Sequence, residues 1–363
     1  MASPSSLGST APAAPPWLSA TRGHVLEAVE RFIGARCAPT LARGGVDVAE
    51  PLLRGMLAAG KCLRSTYLHV GWRCGADSEP AAIRAAASLE FLHVFALVQD
   101  DVMDESTIRR GRPTAHRVFG QWHGDRGLSG SSARFGESAA VLLGDLCLVW
   151  AEQMLRESGL DSDALARAWP RYDAMRTELA VGQFADLIND TGGFPDLDNV
   201  LDVARRKSGN YTVRRPLEIG AALAGCDDEI LDALADYGNA VGEAFQMRDD
   251  LLGVFGSPQT TGKPAGSDLR ARKATTVVVA AYELASGARQ RHLKELMTAE
   301  HLSNDDIAQW QHLIEDVGAV ALIENLIHQR YRAAIDTLDT APVAAEPRSA
   351  LVAMAAASTE RAA

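Results

Sequence analysis

The sequence predicts an all-α protein, and three observations carry that prediction. Apolar residues recur at spacings of three and four rather than two: in HVLEAVERFIGARC, Val25, Val29, Phe32 and Ile33 fall on one face. Alanine and leucine dominate such runs, and both favour helix. Strand signals are nearly absent, and Gly, Ser and Pro gather between the runs, in RGRPTAH, HGDRGLSGSS and GSPQTTGKPAG. No linker or internal repeat divides the chain, so a single domain of roughly ten or more helices is expected.

The first 20 residues, rich in Pro, Ser and Ala, are expected to be a disordered leader. They have no basic region and no hydrophobic stretch, so they do not read as a secretory signal. The domain is expected over residues 21–340. Beyond the first run, helical patterns follow at 47–74, 79–104, 134–157, 161–190, 196–208, 211–225, 227–254, 273–287, 290–298, 303–312 and 315–338. The stretch 106–135 is long and rich in Gly, Ser and Arg. It reads as a mobile loop of the kind that often serves a site. The tail 341–363 is Ala-rich and reads either as helix or as a frayed end.

With 47% hydrophobic and 23% charged residues, the composition is that of an ordinary globular protein. A net charge of −11 argues against non-specific nucleic-acid binding. The five cysteines (Cys37, Cys62, Cys74, Cys147, Cys226) are odd in number and spread out, with no CxxC pair. They read as reduced thiols of a cytoplasmic protein. No membrane span is expected, because the longest apolar run, 81–99, is interrupted by Arg84 and Glu90. Trp72, Trp122, Trp150 and Trp310 read as packing residues.

Two acidic knots stand out. The apolar run LEFLHVFAL leads into VQDDVMDESTIRRGRP, where Asp100 and Asp104 share a helix face and Asp101 sits beside them. Gly111 and Pro113 suggest that the helix stops soon after. Carboxylates at that end face the negative pole of the helix and repel one another unless a cation lies among them. Hard oxygen donors without cysteine suit Mg²⁺; a solvated acidic helix end is the plain alternative. A second knot, Asp249 and Asp250 in EAFQMRDDLLGVFG, also closes an apolar helix. Lys263, Asp268, Arg270, Arg272 and Lys273 follow it. Two such pairs, each trailed by cations, suit a diphosphate held through metal ions. Arg248 beside Asp249 reads equally well as a structural ion pair. GSPQTTGKP is not a nucleotide-binding loop: it has five residues between its glycines where four are needed, and Pro264 replaces the required hydroxyl.

With these motifs in place the chain resembles the trans-prenyltransferases, the isoprenyl diphosphate synthases, and most of all the actinobacterial geranylgeranyl diphosphate synthases, over most of residues 25–335. LHVFALVQDDVMDESTIRRGRPTAH resembles the first aspartate-rich motif and KSGNYTVRRPLEIGAALAG the lysine segment. FQMRDDLLGVFGSPQTTGKPAGSDL resembles the second aspartate motif with its phosphate loop. GKCLRS resembles the first substrate segment and GQFADL the acidic helix between the motifs. The resemblance implies an isoprenoid-synthase helical bundle around a deep central apolar pocket. It also implies Mg²⁺ (three ions with substrate bound, Mn²⁺ as a substitute), a homodimer, and condensation of isopentenyl diphosphate with an allylic diphosphate.

Carried across by position, Asp100, Asp101, Asp104 and Asp249 resemble metal ligands, with Asp250 supporting Asp249. Arg109, Lys207 and Lys263 resemble the grip on the allylic diphosphate. Lys61, Arg64 and Arg110 resemble the pocket for isopentenyl diphosphate, near which the family often has a histidine, here His93. Gln183, Asp186 and Gln246 resemble polar supports, and Lys273 a lysine of less defined role. Phe95 and Ala96, below Asp100, resemble the chain-length floor of enzymes that stop at C20. The chain departs from the family at Ala59, Cys62, Ser65 and Gln99, and at Gly253, where a third aspartate is usual. A class I terpene cyclase on the same scaffold is one alternative, disfavoured by the presence of Lys61, Arg64 and Arg110. A non-catalytic partner subunit is another, disfavoured by the intact first motif.

Overall fold

The computed structural model describes residues 15–189, 194–257 and 265–359. They form a helical bundle built around α5 (Pro80–Met103). Pro80 opens that helix at its first turn, where a missing N–H costs nothing. Ala81 to Phe91 are then all buried apart from the partly exposed Arg84. Because α5 is apolar all round, it has to be enclosed. α1 (Pro16–Phe32), α4 (Leu63–Arg73) and α7 (Ser132–Arg156) pack against it. α8 (Ser162–Asn189) packs on α10 (Arg215–Ala224), and α11 (Asp228–Phe255) lies against the helix Ala319–Thr340.

Several expectations need correction. Residues 16–20 are helical, since α1 begins at Pro16, and residues 1–14 lie outside the described residues. The run 47–74 is two helices, Ala49–Ala58 and Leu63–Arg73, because Cys62 takes a left-handed φ of 52° and turns the chain. The runs 196–208 and 211–225 form one continuous helical path from Leu197 to Ala224, π-helical over Arg205–Arg214. Of the two readings of the tail, helix holds over Ala345–Thr359, with Leu351 and Ala355 buried beside Tyr67 and Tyr237.

The stretch 106–135 is not a mobile loop. Glu105 ends α5 in a left-handed conformation, and the Glu105 and Ser106 N–H groups return to the carbonyls of Val102 and Asp101. That is a Schellman closure with glutamate in the usual place of glycine. Ile108–Arg109 then pairs antiparallel with Arg112–Pro113. Arg110 and Gly111 between them both have positive φ, as a type I′ turn requires. The helix Ala115–Asp125 follows.

Among the described residues two helices, α5 and α7, are long and apolar enough to cross a membrane by length and composition. Arg84 and Glu90 therefore do not break the apolar run. α5 is the bundle's central core helix, most of it buried. α7 is buried along only part of its length, and leaves Leu142 and Val149 exposed.

Buried polar side chains knit the first turn of α1 to α4. His69 Nδ1 lies 3.0 Å from Thr21 Oγ1 and Nε2 lies 3.0 Å from Ser78 Oγ, with Trp17 packed edge-on. Burial, with smaller effects from Arg73 and His24, pushes the His69 pKa down to about 4. The unfolded chain takes up this proton near the ordinary histidine value. Stability present above pH 6.5 is therefore lost as pH falls toward 4, by about 3 kcal/mol for this group. Urea unfolding midpoints should fall across that window, and His69→Gln should flatten the fall. Parallel pH profiles for the two proteins would contradict this assignment.

Candidate active site

The last turn of α5 points its aspartates in different directions. Asp100 lines a charged cleft of about 630 Å³. Asp101, a further 100° round the helix, is 1% exposed and lies behind Arg109. Asp104 caps the helix end. The hairpin returns Arg109 onto the helix, where Nη2 donates to Asp100 (2.9 Å) and Nε to Asp101 (2.7 Å). Arg110 turns the other way and donates to the Ala59 carbonyl (2.8 Å), joining the hairpin to the entrance of α4.

Lys207 reaches the same aspartates from the opposite side. Its Nζ lies 2.5 Å from Asp186 of α8 and 3.3 Å from Asp100. That reach depends on backbone proximity. A Cβ on Gly182 would stand 2.7 Å from the Lys207 nitrogen, and Gly209 crosses Gly242 of α11 just as closely. The π-helical winding over Arg205–Arg214 places Lys207 on the cleft, and such winding recurs at functional sites. Burial works against the Lys207 charge, but Asp186 and Asp100 outweigh it and the pKa rises. Asp100 shows the converse: burial would raise its pKa, and Lys207, Arg109 and Lys273 together bring it down.

The second motif faces the first. Asp249 and Asp250 of α11 line the cleft with Asp100. Asp250 is buried and clamped by the Thr276 N–H (2.9 Å), Thr276 Oγ1 (2.7 Å) and Gln246 Nε2 (2.7 Å). Burial exceeds the effect of these donors and raises its pKa to about 6. Lys273, which follows the second motif in the chain, reaches across to the first, its Nζ 2.5 Å from Asp104. Arg248 does not pair with Asp249. It makes two hydrogen bonds to Glu324 and one to the Thr359 carbonyl, tying α11 to the C-terminal helix.

At the cleft's other end stand Lys61, Arg64 and Arg110. Arg64 donates to Thr212 (2.9 Å) and stacks over Tyr211, while its buried Nε has no hydrogen-bond partner among the described residues. His93 lies between this group and the aspartates. Burial, then Arg64, Arg110 and Arg109, push its pKa well below the ordinary value, so it is neutral at pH 7.

An apolar cavity of about 730 Å³ adjoins the cleft and shares Arg64, His93, Leu97, Asp100, Lys207 and Ser208 with it. Phe95 and Ala96 line it from α5. Residues Arg176 to Leu187 line it along α8, a span of about 16 Å at helical rise. Gln183 lines this apolar cavity and not the charged cleft. Lys263 lies outside the described residues.

Several site residues have no counterpart in the sequence reading. Glu90 lines the cleft, is 3% exposed, and accepts a 2.5 Å hydrogen bond from Ser65. Burial outweighs Ser65, Arg64 and Arg110 and raises its pKa. Its one sequence signal is a lone charge in an apolar run. Thr276 and Tyr211 carry no such signal. Cys62, departing from the family at its left-handed turn, is buried beside Glu90, and burial pushes its thiol up to about 12, so it stays protonated.

Over residues 47–314 the chain matches the sequence profile of the family described as polyprenyl synthetase. It is 36% identical to a geranylgeranyl pyrophosphate synthase from Corynebacterium glutamicum, solved as a complex with isoprenyl diphosphate and magnesium. The TM-score is 0.90, covering 95% of this chain and 99% of that one. A geranylgeranyl diphosphate synthase from Mycobacterium tuberculosis is 32% identical, covering 85% of this chain and 87% of its own. A geranylfarnesyl diphosphate synthase from Aeropyrum pernix is 33% identical, covering 78% and 85%.

The donor set fits Mg²⁺ in one particular way. Among the described residues no three His, Cys, Asp or Glu side chains stand close enough to hold an ion unaided. Mg²⁺ commonly takes one or two carboxylates and completes its shell with water and substrate phosphates. Asp100 and Asp249, facing one cleft with only oxygen to offer, suit that mode.

If Gly182 sets the position of Lys207, Gly182→Ala should weaken binding of inorganic pyrophosphate with Mg²⁺ about tenfold in calorimetry. Unchanged affinity would show that Lys207 does not depend on this contact.

Proposed function

The chain belongs to the polyprenyl synthetase family, and from that premise we propose that it condenses isopentenyl diphosphate with an allylic diphosphate, releasing pyrophosphate and ending at the C20 product, geranylgeranyl diphosphate. The observation that carries this reading is the pair of adjoining cavities, one charged and one apolar, meeting at Asp100 and Lys207.

Asp100 and Asp249, with Asp250 behind Asp249, are the residues that would hold Mg²⁺ from the cleft, and Asp101 and Asp104 would join them as Arg109 and Lys273 turn to the substrate. Bound there, the metal would supply positive charge to the departing diphosphate. Arg109, Lys207 and Lys273 already sit on these aspartates, so they need only exchange a carboxylate oxygen for a phosphate oxygen as substrate enters. Lys61, Arg64 and Arg110 would orient isopentenyl diphosphate, Arg64 through its unused Nε. Phe95, Ala96 and the apolar face of α8 keep water from the allylic cation. The released diphosphate can take the final proton, so a charged histidine is not required.

The reading includes a cytoplasmic homodimer, for which the exposed Leu142 and Val149, about two helical turns apart on α7, offer apolar surface. Burial of most of α5 inside the bundle supports reading it as a core helix.

Purified protein with Mg²⁺, isopentenyl diphosphate and each allylic diphosphate in turn should yield longer diphosphates, chiefly C20. Cyclic hydrocarbons would point instead to a terpene cyclase, and no turnover to a non-catalytic subunit. Phe95→Ala opens the wall of the apolar cavity and should shift the product beyond C20. An unchanged product length would place the floor elsewhere.

A further inference from the structure

The second motif lacks a third carboxylate on its helix, yet a carboxylate stands in the corresponding space. Gly253 follows Asp249 by one helical turn. A Cβ built on Gly253 would lie 1.9 Å from Oδ2 of Asp268 and 2.5 Å from its Cγ. No side chain fits at 253 while Asp268 holds this position. Asp268 belongs to the short helix Ser267–Arg270 and lines the charged cleft with Asp249 and Asp250.

The backbone that carries Asp268 is held on several sides, and its carboxylate accepts from Ser267 Oγ (3.3 Å). Gly266 turns the chain into the short helix at a φ of 67°, and a Cβ there would stand 2.6 Å from Ile307. The Ala271 N–H closes on Ser267, and the Lys273 N–H closes on the carbonyl of Asp268 itself (2.9 Å). Lys273 in turn reaches Asp104 of the first motif. A shift of the Asp268 backbone would thus carry with it the lysine that reaches the first motif.

We propose that Gly253 and Asp268 are a matched pair, in which Asp268 supplies from the neighbouring turn the carboxylate that α11 omits and positions Lys273, so that Gly253 is required by Asp268. Asp268 is on this account a positioning residue, and restoring aspartate at 253 disables the cleft. The proposal rests on the diphosphate-binding reading of the cleft.

The test compares wild type, Gly253→Asp, Asp268→Gly and the exchange variant Gly253→Asp/Asp268→Gly. Calorimetric titration with Mg²⁺ and inorganic pyrophosphate is one readout, chain elongation a second, and the thermal midpoint reports folding. Gly253→Asp alone should weaken pyrophosphate binding about tenfold, and the exchange variant should recover most of that loss. Should Gly253→Asp fail to fold, the comparison of Asp268→Gly with the exchange variant decides. Adding aspartate at 253 must then raise pyrophosphate affinity.

Wild-type affinity in Gly253→Asp, or no gain in the exchange variant, would overturn the pairing. A wild type that binds Mg²⁺ and pyrophosphate without elongating chains would sink the elongation reading and leave the pairing standing. A wild type that binds neither would overturn both.

Discussion

Asp100 is held by two cations at once, Arg109 from the hairpin and Lys207 from the π-helical segment, and the rest of the site is arranged around that contact. A carboxylate at a helix C-terminus, beside two more, is unfavourable alone. Here the protein's own cations supply the compensating charge. Asp101 takes Arg109, Asp104 takes Lys273, and Asp186 shares Lys207. The arrangement also fixes how a ligand enters. Phosphate oxygens compete for the cations and divalent ions compete for the carboxylates, so both exchanges occur together and neither charge is left buried alone.

The bundle serves this balance through close backbone contacts. Gly182 lets the Lys207 backbone lie against α8, and Gly209 crosses Gly242 so that the same segment lies against α11. One helical path thus touches both walls of the cleft. Local strain marks the rim: Cys62, Glu105, Arg110 and Arg272 all have positive φ, each worth on the order of 1 kcal/mol or more for a residue with a Cβ. Each stands where the chain turns into or out of a site segment. The C-terminal helix acts at a distance. Its Ser358 lies 3.2 Å from the Tyr67 hydroxyl of α4, and its last carbonyl accepts from Arg248 beside Asp249, so it binds the two sides of the cleft to each other.

Much of this was legible in the sequence, for physical reasons. Helical periodicity and the two aspartate pairs are local signals, and they located α5, α11 and the residues of the cleft. What stayed hidden depends on space or on unusual backbone. Residues 106–135 looked like a loop because Arg and Gly composition does not reveal that Arg110 and Gly111 form a tight turn aiming Arg109 backward. The end of α5 near residue 104 was read from the Gly111 and Pro113 that follow, whereas the local closure is made by Glu105. Lys273 carried an undefined role because its partner, Asp104, is remote in the chain. Gly253 looked like a lost ligand because sequence position, unlike the fold, says nothing of Asp268.

The most direct test of the charge-exchange account is a crystal structure with Mg²⁺ and an unreactive allylic diphosphate analogue. The account predicts that Lys207 and Arg109 move from Asp100 to phosphate oxygens while metal ions take Asp100 and Asp249. A diphosphate bound with the Asp100–Lys207 and Asp100–Arg109 contacts still intact would contradict it.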